Sequence, residues 1–522
     1  MPNRNKTSLA QMSSVNEPVR ENNLTRSIYC ICLCVVLIGC ALASAIRTLH
    51  WPLVGDASLM HYVVFLMHRG FTPYKSIVDI NLPGSYLAEA TAMHIFGGGP
   101  LGWHLYDLTL CLVLLIAAVK ISSSTQYYAG IFTGMLFLLI HLQDGLAQSG
   151  QRDLLIAALL TCAYALLFSA QNRPRNGLSI LLFGLLLGFT VTIKPFFLPL
   201  GAVLILMSMR RARQHGLAPG IHLACGTLGL LFPPAATMVW LWSQHALRPF
   251  LATLTGIIPL HATLGHRPVA YLLTHSVSPI MPLCIAWAII WLLRRQPVDL
   301  ERAELLAGIA IALLAYVIQG KGFPYHRYSL LALLLLLMGM DFFEALKHTG
   351  TAKVLSIVAL AYASFFVAPR AALAVRSFTS TQPFEQGLTH DLQARRADLS
   401  GGVQCIDTLG GCINTLYDLQ IVQSTGFLYD CYLFLPGHNP VTDQYRAAFW
   451  AAFQRTRPKV VILTSQYCFG PDSFQKINAW PQFADDLARS YTQVTEWHPT
   501  QQEHWWTRLK TPSQFRLYIR KP

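Results

Sequence analysis

Residues 28–46 read IYCICLCVVLIGCALASAI, a run without one charged side chain. A helix needs roughly 20 mainly apolar residues to cross the hydrocarbon of a bilayer. The chain satisfies that requirement repeatedly: further apolar runs lie near 103–121, 128–142, 153–170, 177–193, 195–209, 221–243, 269–293, 304–319, 328–343 and 354–372. The first run follows a polar arm, residues 1–27, and lacks a small-residue cleavage site, so it is read as an anchor helix and not as a removable signal. Of the 522 residues, 53% are hydrophobic and 12% charged, against about 25% charged in soluble domains. These values exclude a soluble globule and a disordered chain, and they predict a polytopic α-helical membrane protein of eleven spans.

The net charge of +14 would suit nucleic acid if it were spread evenly, but it is not. Residues 377–522 hold 13 basic and 12 acidic side chains, which leaves 26 and 13 for residues 1–376. The excess therefore belongs to the loops between apolar runs, as the positive-inside rule requires, and no nucleic-acid partner is expected. With a cytoplasmic N-terminus, the inner loops hold 15 Lys and Arg between Arg4 and Lys353, and the outer loops hold 9 between Arg47 and Arg327. Eleven spans then place the tail outside.

That tail, residues 377–522, changes character. Short runs at 403–406, 459–464 and 515–519 look like strands among polar stretches with helical spacing, which predicts a small α/β extracytoplasmic domain. Cys405, Cys412, Cys431 and Cys468 lie in it, and an even set in an oxidising compartment predicts at least one disulfide, with three full pairings open. The other eight Cys sit in apolar stretches as packing residues.

Polar residues that are costly at membrane depth collect at one predicted face. The first outer loop, about 47–102, contains Gly55-Asp56-Ala57, His61 and the stretch Gly70-Phe71-Thr72-Pro73-Tyr74 through Asp79-Ile80-Asn81-Leu82-Pro83-Gly84. Later outer loops supply Gly150-Gln151-Arg152-Asp153, Ile193-Lys194-Pro195 and Gln319-Gly320-Lys321-Gly322-Phe323-Pro324-Tyr325-His326-Arg327. Taken singly, each has a plain structural reading. Asp56 could cap the helix after it, Asp79 could stabilise a turn, Arg152 and Lys194 could snorkel from helix ends, and His326 could anchor at the interface. Together, early carboxylates and late cations suit a site where a carboxylate works beside an anion such as phosphate.

The combination of Gly-Asp, Gly-Phe-Thr-Pro-Tyr, Asp-Ile-Asn-Leu-Pro-Gly, Gln-Arg-Asp, Lys-Pro and Gln-Gly-Lys-Gly-Phe-Pro-Tyr-His resembles the GT-C superfamily of integral-membrane glycosyltransferases. The likeness is to the branch of protein O-mannosyltransferases and lipid A aminoarabinose transferases, covers roughly residues 28–345, and leaves the tail aside. It implies a GT-C-like catalytic domain over 28–376 in a bacterial inner membrane. It also implies a polyprenyl-phosphate-linked sugar donor and a glycan, lipid or protein acceptor. Asp56 matches the catalytic acidic position and Asp79 the second acidic position of the first loop. Lys321, His326 and Arg327, with Arg152 and Lys194 behind them, match the basic groups that hold the donor phosphate. Tyr74, His61 and Tyr325 are candidates for contact with acceptor or sugar. Direct displacement by the acceptor would invert the sugar carbon. The resemblance fixes no cofactor and leaves a divalent metal open; a metal site from paired carboxylates is not supported, since Asp56 is followed by Ala57 and Ser58 and not by a second acidic residue. A secondary transporter is the competing class, but no inverted repeat is visible and the polar residues collect at one face instead of mid-membrane. An O-antigen ligase or polymerase would share the donor, yet such enzymes place their main outer loop late in the chain.

Overall fold

The computed structural model describes residues 17–122, 127–170, 177–295, 298–378, 382–396, 399–499 and 513–522. Most of the expected N-terminal arm, with Arg4 and Lys6, and the loop cations Arg173 and Arg175 lie outside the described residues. A helix stands at each of the eleven expected spans. Seven are long and apolar enough to cross a membrane: Thr25–Thr48, Pro100–Ser122, Arg152–Ser169, Pro195–Gln214, Pro219–Ser243, Pro324–Ala345 and Thr351–Arg376. Val269–Ser276 and Ser278–Arg294, bent by 43°, make an eighth when taken as one broken span. The other three helices are not among these. Tyr127–Gln143 and Gly177–Ile193 have 17 residues each, about 26 Å of helix against about 30 Å of hydrocarbon. Leu300–Gln319 opens on the charged turn Glu301, Arg302 and Glu304.

Burial sorts the helices radially. Of the apolar window in Pro324–Ala345, 94% is buried inside the protein, against 22% in Pro219–Ser243. The first is the central post of the bundle, wrapped by Phe132, Phe137, Leu155 and Tyr164 of its neighbours. The second turns Leu228, Leu231, Phe232, Val239 and Trp242 outward, as a lipid-facing helix must. Polar termini of these helices gather at one end, where the irregular segments 49–55, 69–82, 144–151 and 320–323 lie.

The tail forms one four-stranded sheet. Strands β1 (Val403–Ile406) and β2 (Val460–Thr464) pair in parallel; β4 (Phe515–Arg520) runs antiparallel to β2, and β3 (Tyr491–Trp497) antiparallel to β4, giving the order β1-β2-β4-β3. The three strands read from sequence are present. β3 was not read because it is an exposed edge strand, with a bulge between Gln493 and Thr495, and carries no apolar run. The tail is not a separate globule. Leu416, Phe434, Phe449 and Val461 share one buried core with Leu53, Leu59, Tyr62 and Tyr86 of the first outer loop. Two disulfides, Cys405–Cys412 and Cys431–Cys468, brace it. Denatured, unreduced protein should therefore show no alkylation at these four positions and full alkylation after reduction. Reaction of all four without reductant would contradict the pairing.

Candidate functional site

Asp56 opens the helix Asp56–His68, preceded by Gly55 at φ 60, a left-handed conformation that favours glycine. No side chain caps this end, so the Asp56 carboxylate is directed elsewhere. Arg152 Nη2 donates to Asp56 Oδ2 at 3.1 Å, Gln151 Nε2 donates at 3.4 Å and the Tyr325 hydroxyl at 3.5 Å. Donors from two separate segments, at 151–152 and at 325, thus meet on one oxygen of a third. The Asp56 side chain remains 25% exposed and that of Arg152 17%, so both can be reached from outside.

The turn that delivers Gln151 and Arg152 is fixed from below. Gly150, also at φ 60, gives its N–H to the carboxylate of Asp107, which in turn pairs with His141 Nε2 at 2.9 Å. The next residue, Asp153, receives Lys194 Nζ at 2.7 and 2.8 Å, and the same ammonium reaches Gln319 Oε1. Lys194 sits at the break between Gly177–Ile193 and the helix after it, where Gly84 packs so tightly on Thr192 that a Cβ would collide with the threonine hydroxyl. His326 stands beside Tyr325, with ring centroids 4.6 Å apart, and its buried Nδ1 has no hydrogen-bond partner among the described residues. Its charged neighbours are Lys194, Arg152 and Lys321.

Asp79 has a different character. It is 1% exposed and both oxygens are occupied. Oδ1 accepts from Ile80 N at 2.6 Å and from the Tyr429 hydroxyl at 2.7 Å; Oδ2 accepts from the Tyr86 hydroxyl at 2.9 Å; and Asn81 Nδ2 bridges the two at 3.0 and 3.1 Å. Burial first, and then Asp79 itself, push the phenols of Tyr86 and Tyr429 well above their ordinary value, so both stay donors. Asn81 Oδ1 accepts from Arg152 Nη1, which links the two carboxylates through one amide and one guanidinium.

Four other residues singled out in the sequence lie elsewhere in the network. Lys321 Nζ donates to the backbone carbonyls of His261 at 2.6 Å and of Leu264, and ties down the end of the helix Ile257–Thr263. Arg327 grips Asp144 with Nη2 at 2.9 and 3.1 Å and holds His275 O and Ser278 Oγ with Nη1 at 2.9 and 3.2 Å. Tyr74, at φ 66, donates to Asn81 O at 2.5 Å and packs on Phe250. His61 is fully buried, pairs with Glu89 at 2.7 Å and is flanked by Trp103 and Tyr417. Asp56, Arg152, Lys194, Tyr325 and His326 are brought together; Lys321, Arg327, Tyr74 and His61 hold the surrounding frame.

Sequence reasoning passed over Gln151, Asp153 and Gln319, although each stands in a quoted motif next to a chosen residue. Tyr429 had no signal, because nothing in an aromatic-rich tail indicates which tyrosine reaches the first loop. Among the described residues, Asp430, Cys431 and Cys468 are close enough to share a metal ion, but the two thiols are joined as a disulfide. Among the described residues, the partners of Asp56 include no second carboxylate.

No protein-family model and no curated protein matches the chain. Its fold does match solved structures. ArnT from Cupriavidus metallidurans, bound to undecaprenyl phosphate, aligns with a TM-score of 0.57 at 12% identity over 92% of this chain and 97% of that one. The same protein in the apo state aligns with a TM-score of 0.59 at 11% identity and the same coverage. The oligosaccharyltransferase AglB from Archaeoglobus fulgidus, in complex with an inhibitory peptide and a dolichol-phosphate, gives 0.51 at 12% identity over 92% and 75% of the two chains. The chain therefore shares the fold of these solved structures, and the multi-span helical architecture expected from the sequence is the one found.

Proposed function

We propose that the protein is a membrane glycosyltransferase that moves a sugar from a polyprenyl-phosphate donor to an envelope acceptor at the outer face of the inner membrane. The observation that carries this reading is the convergence of Asp56, Arg152, Lys194, Tyr325 and His326 at the polar end of a fold shared with ArnT and AglB. Asp56 is the carboxylate still open to a reactant, so it takes the proton from the acceptor hydroxyl or amine as the new bond to the sugar carbon forms. The leaving group is a polyprenyl phosphate whose negative charge grows as the glycosidic bond breaks. A fixed cation therefore stabilises the transition state more than the ground state.

Arg152 supplies that cation. A guanidinium has five donors, and the contacts to Asp56 and Asn81 leave others free. His326, with its unpartnered Nδ1, lies beside it, and Lys194 adds charge from behind while its own protons serve Asp153 and Gln319. Asp79 is a positioning carboxylate in this scheme, and Lys321 and Arg327 support the loops around the pocket.

Two experiments test the reading. Glycolipids, envelope polysaccharides and glycoproteins should lose the same sugar in a deletion strain and in an Asp56→Ala strain; a full complement of sugars in both would end the proposal. A periplasm-dependent reporter fused after residue 376 should be active and one placed in the 210–216 loop silent. The reverse pattern would turn the site to the wrong face of the membrane.

A further inference from the structure

Among the contacts between the C-terminal domain and the first outer loop, the one made by residues 426–429 reaches the reactive end of the site. Val78 N donates to Gly426 O at 2.7 Å, and Val78 and Phe427 form a β-bridge. The approach is so close that a Cβ on Gly426 would collide with Ser76 O. Two residues beyond the bridge, Tyr429 donates to Asp79 Oδ1 at 2.7 Å and lies 3.4 Å from Asn81 Nδ2. Its own backbone is held by the Tyr445 hydroxyl at 2.8 Å. The following residues are anchored by the Asp430–Lys476 ion pair at 2.5 Å and the Cys431–Cys468 disulfide. From Asp79 the contacts continue through Asn81 to Arg152 and from Arg152 to Asp56.

We infer that Tyr429 is a positioning residue: the C-terminal domain uses its hydroxyl to lock Asp79 and Asn81, and through them sets the Arg152 guanidinium against Asp56. This deepens the transferase reading and rests on it for its effect on turnover. Asn81 can present its carbonyl to Arg152 only while its amide is pinned on Asp79. Asp79 is held on its outer side by Tyr429, across a domain boundary. Loss of that hydroxyl frees the amide to rotate, and a misplacement of this kind far from the chemistry is enough to slow it.

Tyr429→Phe keeps the ring and its packing against Tyr432, so the full-length protein should fold and insert. Hydrogen–deuterium exchange should rise in peptides covering 78–82 and 150–155 and stay at the wild-type level elsewhere. Turnover should fall by about ten-fold or more. Asn81→Ala interrupts the same link from its other end, so the double variant should be no slower than Asn81→Ala alone, as coupled residues require. Unchanged exchange in both peptides, or effects of the two substitutions that multiply, would overturn the inference. Should the wild-type protein transfer no sugar, the functional reading fails by itself, and the exchange data still decide whether Tyr429 positions Arg152.

Discussion

Asp56→Asn should reduce turnover by roughly 100-fold or more, within the range of about 10²–10⁴ that general-base catalysis contributes. The substitution keeps size and shape, and the amide oxygen can still accept from Arg152, so the local structure should survive. What disappears is the negative charge and the capacity to take a proton from the acceptor. Binding of undecaprenyl phosphate should be retained, because the proposed contacts to its anion come from Arg152 and His326, and Arg152 no longer shares its charge with a carboxylate. Asp79→Asn offers the contrast. Its amide would present N–H groups toward hydrogen-bond donors, so thermal stability should fall along with turnover. A fully active, correctly inserted Asp56→Asn variant would restore the reading of Asp56 as no more than the first residue of its helix. Asp79 could not simply replace it, since both of its oxygens are already occupied.

Much of this arrangement was legible in the sequence, and the reason is physical. Hydrocarbon demands long apolar runs, so the helices announce themselves; ionisable groups at membrane depth are costly, so those that remain mark a cluster. Asp56, Arg152 and Lys194 were found in this way. Partner choice was not legible. Lys321 and Arg327 stand in the same motif as Tyr325 and His326, yet the single short helical turn Pro324–Arg327 directs Tyr325 to Asp56 and Arg327 to Asp144. Spacing fixes the neighbourhood of a side chain, while the direction of its charged end depends on contacts such as Arg327 with Ser278, 49 residues away in sequence. The edge strand Tyr491–Trp497 escaped for a related reason. Its outward positions are polar, and the pairing that makes it a strand is with Phe515–Arg520, near the end of the chain.

The strongest effect on stability should come from Arg327. Its side chain is 8% exposed and that of its partner Asp144 10%. Burial pushes the Asp144 carboxyl above its ordinary range, and the guanidinium opposes that shift. Arg327→Ala would leave a buried carboxylate without its counter-charge, at a cost of about 3–5 kcal/mol. It would also release His275 and Ser278, the bend between the two halves of the broken helix. The variant should therefore lose most of its monodisperse, detergent-extracted protein and unfold at a markedly lower temperature. Arg327→Met combined with Asp144→Leu removes both charges together and should recover much of that loss, because apolar replacement of a whole buried pair is often neutral or stabilising. Lys321→Ala should be milder, since it frees backbone carbonyls near the loop surface and leaves no charge stranded. A different outcome would reassign the residue: if Arg327→Ala unfolds like the wild type but binds undecaprenyl phosphate weakly, Arg327 is a phosphate ligand, and its grip on Asp144 is only the resting contact of a cation that turns toward the donor.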